Sequence, residues 1–82
     1  MSYEQIEQAS LVRIGTKQTL RAVEQDELTA VYVAKDADPR VTAKVIQLCK
    51  SKRIPVTYVD SMKQLGKACK IEVGAAMVGI KV

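Results

Sequence analysis

Five consecutive hydrophobic residues, Ala30-Val31-Tyr32-Val33-Ala34, offer no polar face to water. The run is short and rich in β-branched residues, which suits a strand buried on both faces. Such a strand needs cover above and below. In a chain of 82 residues the economical way to supply it is one sheet with helices packed on either side.

The segments around that strand agree. After it, Lys35-Asp36-Ala37-Asp38-Pro39 reads as a loop entering a helix, with Asp38 as N-cap and Pro39 at the first helical position. The helix runs to about Lys52, with Val41, Val45, Leu48 and Cys49 expected inward and Arg40, Lys44, Gln47 and Lys50 outward. Pro55 to Val59 is a strand that tolerates proline at its first residue. Ser61 and Gln64 form a capping box opening a further helix, with Met62, Leu65 and Cys69 inward and Lys63, Lys67 and Lys70 on another face. A loop, Ile71 to Gly74, leads to a last strand from Ala75 to about Lys81.

Upstream, Ser2 and Gln5 suggest a capping box and a short helix through about Ala9, with Ile6 and Ala9 inward. Leu11 to Ile14 is a strand, and a helix from about Thr16 to Gln25 ends in the acidic turn Glu24-Gln25-Asp26-Glu27. Strands alternating with helices across short loops predict an α/β fold: one domain spanning 1–82, a three-layer α/β/α sandwich on a four-stranded mixed sheet.

The chemistry concentrates after the first strand, in Ile14-Gly15-Thr16-Lys17-Gln18-Thr19-Leu20-Arg21-Ala22-Val23. Gly15 permits a tight turn and close approach of a ligand. The first N–H groups of the following helix have no intrahelical partner, so this end suits phosphate or base acceptors. Thr16, Leu20 and Val23 have the spacing of a buried face, which leaves Lys17, Gln18 and Arg21 together on the exposed one. A P-loop is excluded, because the earlier glycine of G-x-x-x-x-G-K-[ST] is missing.

Composition bears on what such a site can do. With 13 Lys and Arg against 9 Asp and Glu, the net charge of +4 favours an anionic partner. The chain has no histidine, which removes the commonest general base, the His-activated nucleophiles and imidazole zinc sites. It has three Tyr and no Phe or Trp, too few for the stacking platform of sheet-face single-strand binders. Cys49 and Cys69 cannot make a disulfide framework and read as reduced core thiols of a cytoplasmic protein. There is no apolar run of roughly 18 residues and no leader pattern, so neither a membrane span nor export is expected. Asp36-x-Asp38 could hold Mg²⁺, but Asp38 is already needed as a cap and no second acidic pair faces it. No catalytic residue, metal or cofactor is expected. Ile71 and Val73 are ordinarily core anchors; if exposed beside the lysine-rich helix, they would form an apolar lid suited to an unstacked base.

Three blocks taken together, Gly15-Thr16-Lys17-Gln18-Thr19, Val31 to Pro39, and Leu65-Gly66-Lys67-Ala68-Cys69-Lys70-Ile71-Glu72-Val73-Gly74-Ala75-Ala76, resemble the kink-turn RNA-binding ribosomal protein family. This is the family of the archaeal and eukaryotic seven-Ae and thirty-e proteins, and the similarity is greatest to its short bacterial members. The family fold is a three-layer α/β/α sandwich, in agreement with the reading above. The resemblance implies a monomeric partner of structured RNA bent at tandem sheared G·A pairs, with the ribosome among its candidate settings. By position it implicates Gly15, Thr16, Lys17, Gln18 and Arg21 at the G·A pairs, and Ile71, Glu72 and Val73 over an extruded nucleotide. Lys63 is expected to meet phosphate. Archaeal members carry Asn-Glu where this chain has Lys17-Gln18, so guanine contacts here would come from the lysine's donors and the amide instead of a carboxylate. The alternative is a ribosome-associated structural or protein-interaction domain with only nonspecific RNA affinity.

Overall fold

A computed structural model of the chain describes residues 3–82. Along them lie α1 (Glu4–Gln8), β1 (Leu11–Ile14), α2 (Thr16–Glu24), β2 (Ala30–Ala34), α3 (Pro39–Lys52), β3 (Val56–Val59), α4 (Met62–Ala68) and β4 (Met77–Lys81). The sheet order is β1-β4-β2-β3. β4 is antiparallel to both its neighbours, while β2 and β3 are parallel, so the sheet is mixed. β1, β2 and β3 therefore point the same way. Their C-terminal ends, and the start of β4, share one end of the sheet.

Strand alternation divides the core in two. Val31, Val33 and Met77 pack with Ala22 and Val23 of α2 and with Val45 and Cys49 of α3. Tyr32, Ala34, Val78 and Ile80 pack on the other face with Ile6 of α1 and Leu65 of α4. This is the expected three-layer sandwich, with β2 buried on both faces. Each fully buried Val or Leu contributes about 1.5–3 kcal/mol, and such residues are shared between the central strands and the helices that cover them.

Several local expectations change. Helix α1 starts at Glu4, with Tyr3 in the cap position and no side-chain cap; Ser2 lies outside the described residues. Gln5 is used elsewhere, its Oε1 accepting the Tyr32 hydroxyl at 3.1 Å. That bond gives the phenol a partner inside the fold, and desolvation raises its pKa. In α2 the fully buried positions are Thr19, Ala22 and Val23, whereas Thr16 and Leu20 are half-buried. Thr19 can go inside because its hydroxyl donates to the Arg13 carbonyl, 3.4 Å away. In α3 the inward set is Thr42, Val45 and Cys49, and Val41, one residue round the helix, is 48% exposed. β3 begins at Val56 and β4 at Met77, one and two residues later than expected.

Both cysteines are free thiols, Cys49 fully buried and Cys69 half-buried at the end of α4. Burial pushes both thiols above their ordinary pKa, so neither is a ready nucleophile. Iodoacetamide should label Cys69 first in the native protein, followed by mass spectrometry. Cys49 should wait for global opening and be protected by a factor of about 5 × 10³ if stability is about 5 kcal/mol. Equal rates would mean that α3 does not seal its side of the sheet.

Candidate nucleic-acid interface

Three helices, α2, α3 and α4, begin at the end of the sheet where β1, β2 and β3 finish. Two are closed by side chains. The Asp38 carboxylate accepts from the Arg40 backbone N–H at 2.9 Å, and Ser61 Oγ accepts from the Gln64 N–H at 3.1 Å. Helix α2 is different: Gly15 occupies its cap position and supplies no side chain. The unpaired donors of its first turn therefore remain available to an acceptor from outside.

Gly15 is held in place from both sides. Its N–H donates to the Met77 carbonyl at 2.9 Å, tying the turn to the start of β4. Its carbonyl accepts from the Thr19 N–H at 2.9 Å, the first bond of α2. Between these anchors the backbone takes φ +97 and ψ 156, a region essentially restricted to glycine. The turn aims Lys17 and Gln18 outward, with Arg21 one turn later. All three are exposed, and Gly15 and Thr16 are half-buried.

The charges on this patch are uncommitted. Among the described residues the ion pairs are Arg13–Glu27 at 3.9 Å, Arg40–Asp38 at 2.8 Å and Lys52–Asp26 at 2.7 Å. Lys17, Arg21 and Lys63 take part in none of them. The Asp36-x-Asp38 loop is occupied with structure instead. Asp36 Oδ1 accepts from the Met62 N–H at 2.8 Å, and Arg40 holds the Asp38 carboxyl below its ordinary pKa through hydrogen bonds.

The loop between α4 and β4 is clamped to α4. The Ile71 N–H donates to the Gly66 carbonyl at 3.1 Å, and the Ala75 N–H to the Met62 carbonyl at 3.0 Å. Gly66 is buried, with no room beside its Cα because the Val73 backbone lies against it. The two apolar loop residues divide their roles. Ile71 is half-buried and packs on the core, as an anchor does, while Val73 is 70% exposed. Glu72 between them is exposed. This loop leads into Met77, the residue bonded to Gly15. The α2 start is thus tied to β4 through Gly15, while the Val73 tip lies against α4, the helix that also carries the exposed Lys63.

Thr19 and Gly66 support this geometry and were not singled out by the sequence reading; both matter through tertiary neighbours that spacing does not reveal. Lys35 also stands exposed at this end. Its position just past a parallel strand is where ligands of open α/β sheets gather, a signal that could have drawn attention to it. No helix among the described residues is long and apolar enough to cross a membrane.

Comparison with known proteins adds to this picture. The family model described as "Ribosomal protein L7Ae/L30e/S12e/Gadd45 family" matches residues 3–82. The chain is 59% identical over 81 residues to an RNA-binding protein of Halalkalibacterium halodurans, covering 99% of each chain. It is 56% identical over 80 residues to the RNA-binding protein YbxF of Geobacillus stearothermophilus, covering 98% of each. Among solved structures it resembles a 15.5 kDa RNA-binding protein of Giardia lamblia with TM-score 0.83 and 27% identity, over 94% of this chain and 63% of that one.

Proposed function

This chain belongs to the L7Ae/L30e/S12e/Gadd45 ribosomal protein family, and on that premise we propose that it is an RNA-binding protein that recognises a kink-turn. The observation that carries the reading is the α2 start: an uncapped helix end, presented by Gly15, beside exposed and unpaired Lys17, Gln18 and Arg21. Relatives at 59% and 56% identity carry the name RNA-binding protein, and the net charge of +4 suits a polyanion.

The roles divide by chemistry. Lys17 donates to guanine O6 or N7 at the sheared G·A pairs, where the groove is open enough to admit a side chain. Gln18 offers both a donor and an acceptor to the same pairs. Arg21, one turn along, reaches the same opened groove, and Lys63, across the end of the sheet, meets phosphate and sets the register. Val73 covers the extruded nucleotide, with the half-buried Ile71 as its root and Glu72 beside it. The protein does no chemistry on the RNA, acts as a monomer and works in the cytoplasm, with the ribosome as one possible host of the RNA. It needs no metal or cofactor of its own.

A gel shift with a standard kink-turn, set against the same RNA with its G·A pairs replaced by Watson–Crick pairs, tests this directly. Equal binding to both would leave only basic attraction and favour a structural or protein-interaction role. Lys17→Ala and Lys63→Ala should then separate. Losing Lys17 should cost on the order of 1–3 kcal/mol and shrink the preference for the kinked RNA. Losing Lys63 should weaken both RNAs alike and lower the salt slope by about one. If Lys17→Ala weakens both RNAs equally, Lys17 is a phosphate contact.

A further inference from the structure

Lys63 and Lys67 are four residues apart on α4 and so share one side of it. Lys70 follows just beyond the helix end, with its N–H bonded to the Lys67 carbonyl at 2.9 Å. All three are exposed, while Leu65 and Gly66 on the opposite side are buried. None of the three lysines forms an ion pair among the described residues. No acidic residue occurs from 62 to 71. Asp60 and Glu72 flank that span and are exposed, and Glu7 of α1 lines a cleft with Lys70 without an ion pair between them. The stripe starts at the end of the sheet that holds the candidate interface and runs away from it. Seven residues at 1.5 Å each make it about 10 Å long, roughly three phosphates of one duplex strand.

Resting on the kink-turn reading, we propose that Lys67 and Lys70 extend the interface into a phosphate track that holds one of the two stems leaving the bend. Lysines are point charges on flexible stems that suit phosphate oxygens, and Lys67 and Lys70 stand on an exposed surface with no glycine turn to hold them against base edges, so the track positions a stem and reads no sequence. The two stems of a bent RNA diverge, and one stripe on one face can follow a single stem. Binding should therefore depend on the length of that stem and be indifferent to the other.

The test is a binding titration of the whole protein against kink-turn RNAs in which each stem is lengthened in turn. Wild type should gain about tenfold when one particular stem grows past the track and nothing when the other does. Lys67→Gln/Lys70→Gln should lose that gain and lower the salt slope by about 1.5–2, yet keep its preference for the G·A-paired RNA over the Watson–Crick control. Lys67→Arg/Lys70→Arg should restore the stem dependence, and circular dichroism should match in all three proteins. A preserved kink-turn preference with no stem asymmetry, or with an asymmetry that survives the Gln variant, overturns the track alone. No preference for the kinked RNA in wild type overturns the function on which the track rests as well.

Discussion

Gly66→Ala is expected to destabilise this domain, although the same change inside a helix ordinarily stabilises it by about 1 kcal/mol. The sign turns on space. A Cβ at Gly66 would run into the Val73 carbonyl oxygen, with the Val73 carbonyl carbon 3.1 Å and the Gly74 Cα 3.2 Å away. These are backbone atoms, so no rotamer change relieves the clash. Overpacking of this kind costs about 1–3 kcal/mol, which outweighs the helical gain or at least cancels it. The alternative to that cost is movement of the 71–74 loop off α4, breaking the Ile71 N–H bond to Gly66. Either way Val73 leaves its place. Affinity for a kinked RNA should fall about tenfold, near 1.4 kcal/mol, while plain duplex binding stays nearly constant. Thermal melts together with paired titrations check both halves. A variant that melts higher than wild type would mean the loop does not rest on Gly66.

The sequence announced some of this and hid the rest, for definable reasons. β2 was legible because an unbroken apolar run admits few other fates, and α3 because Asp38-Pro39 marks its start. Ser61 was legible as the α4 cap for the same reason. The rotation of the buried faces was not. Thr19 and Thr42 are buried at 0% and 4% exposure, where a hydropathy pattern expects water. Thr19 enters because a carbonyl on β1 accepts its hydroxyl, and that carbonyl is six residues away in sequence. Val41 illustrates the reverse case. Once Thr42, Val45 and Cys49 face the sheet, its neighbour is turned about 100° away regardless of its apolar character.

At the candidate site, helical spacing alone put Lys17, Gln18 and Arg21 on an exposed face. That Ile71 and Val73 separate, one into the core and one into solvent, could not be read from two similar residues two positions apart. It follows from the clamp that Met62 and Gly66 impose on the loop through backbone bonds. The helix end itself became distinctive only by contrast. α3 and α4 are capped by Asp38 and Ser61, and α2 is left open by a glycine.

That glycine supplies the other large effect. Gly15→Ala should lower stability by about 1–3 kcal/mol, the cost of holding a side chain in backbone reserved for glycine. For a domain of this size the melting temperature should drop by roughly 5–20 °C. The cost is internal to the residue, because a Cβ built there meets nothing within 4 Å; trimming a neighbour cannot rescue it. Asparagine should not rescue it either. Asn is tolerated in left-handed helical backbone, where ψ is near +30 to +60°, and Gly15 has ψ 156. If the backbone relaxes instead, the Gly15 bonds to Met77 and Thr19 are lost, and the first turn of α2 swings with Lys17 and Gln18. Amide exchange at Thr19 would report that loss as faster exchange than in wild type. Measured well below its melting point, the folded variant should therefore bind kinked and straight RNA with nearly equal affinity. An unchanged melting temperature would refute the strained turn. A lowered one with full discrimination between the two RNAs would leave Gly15 a purely structural residue and move the reading of the G·A pairs away from the start of α2.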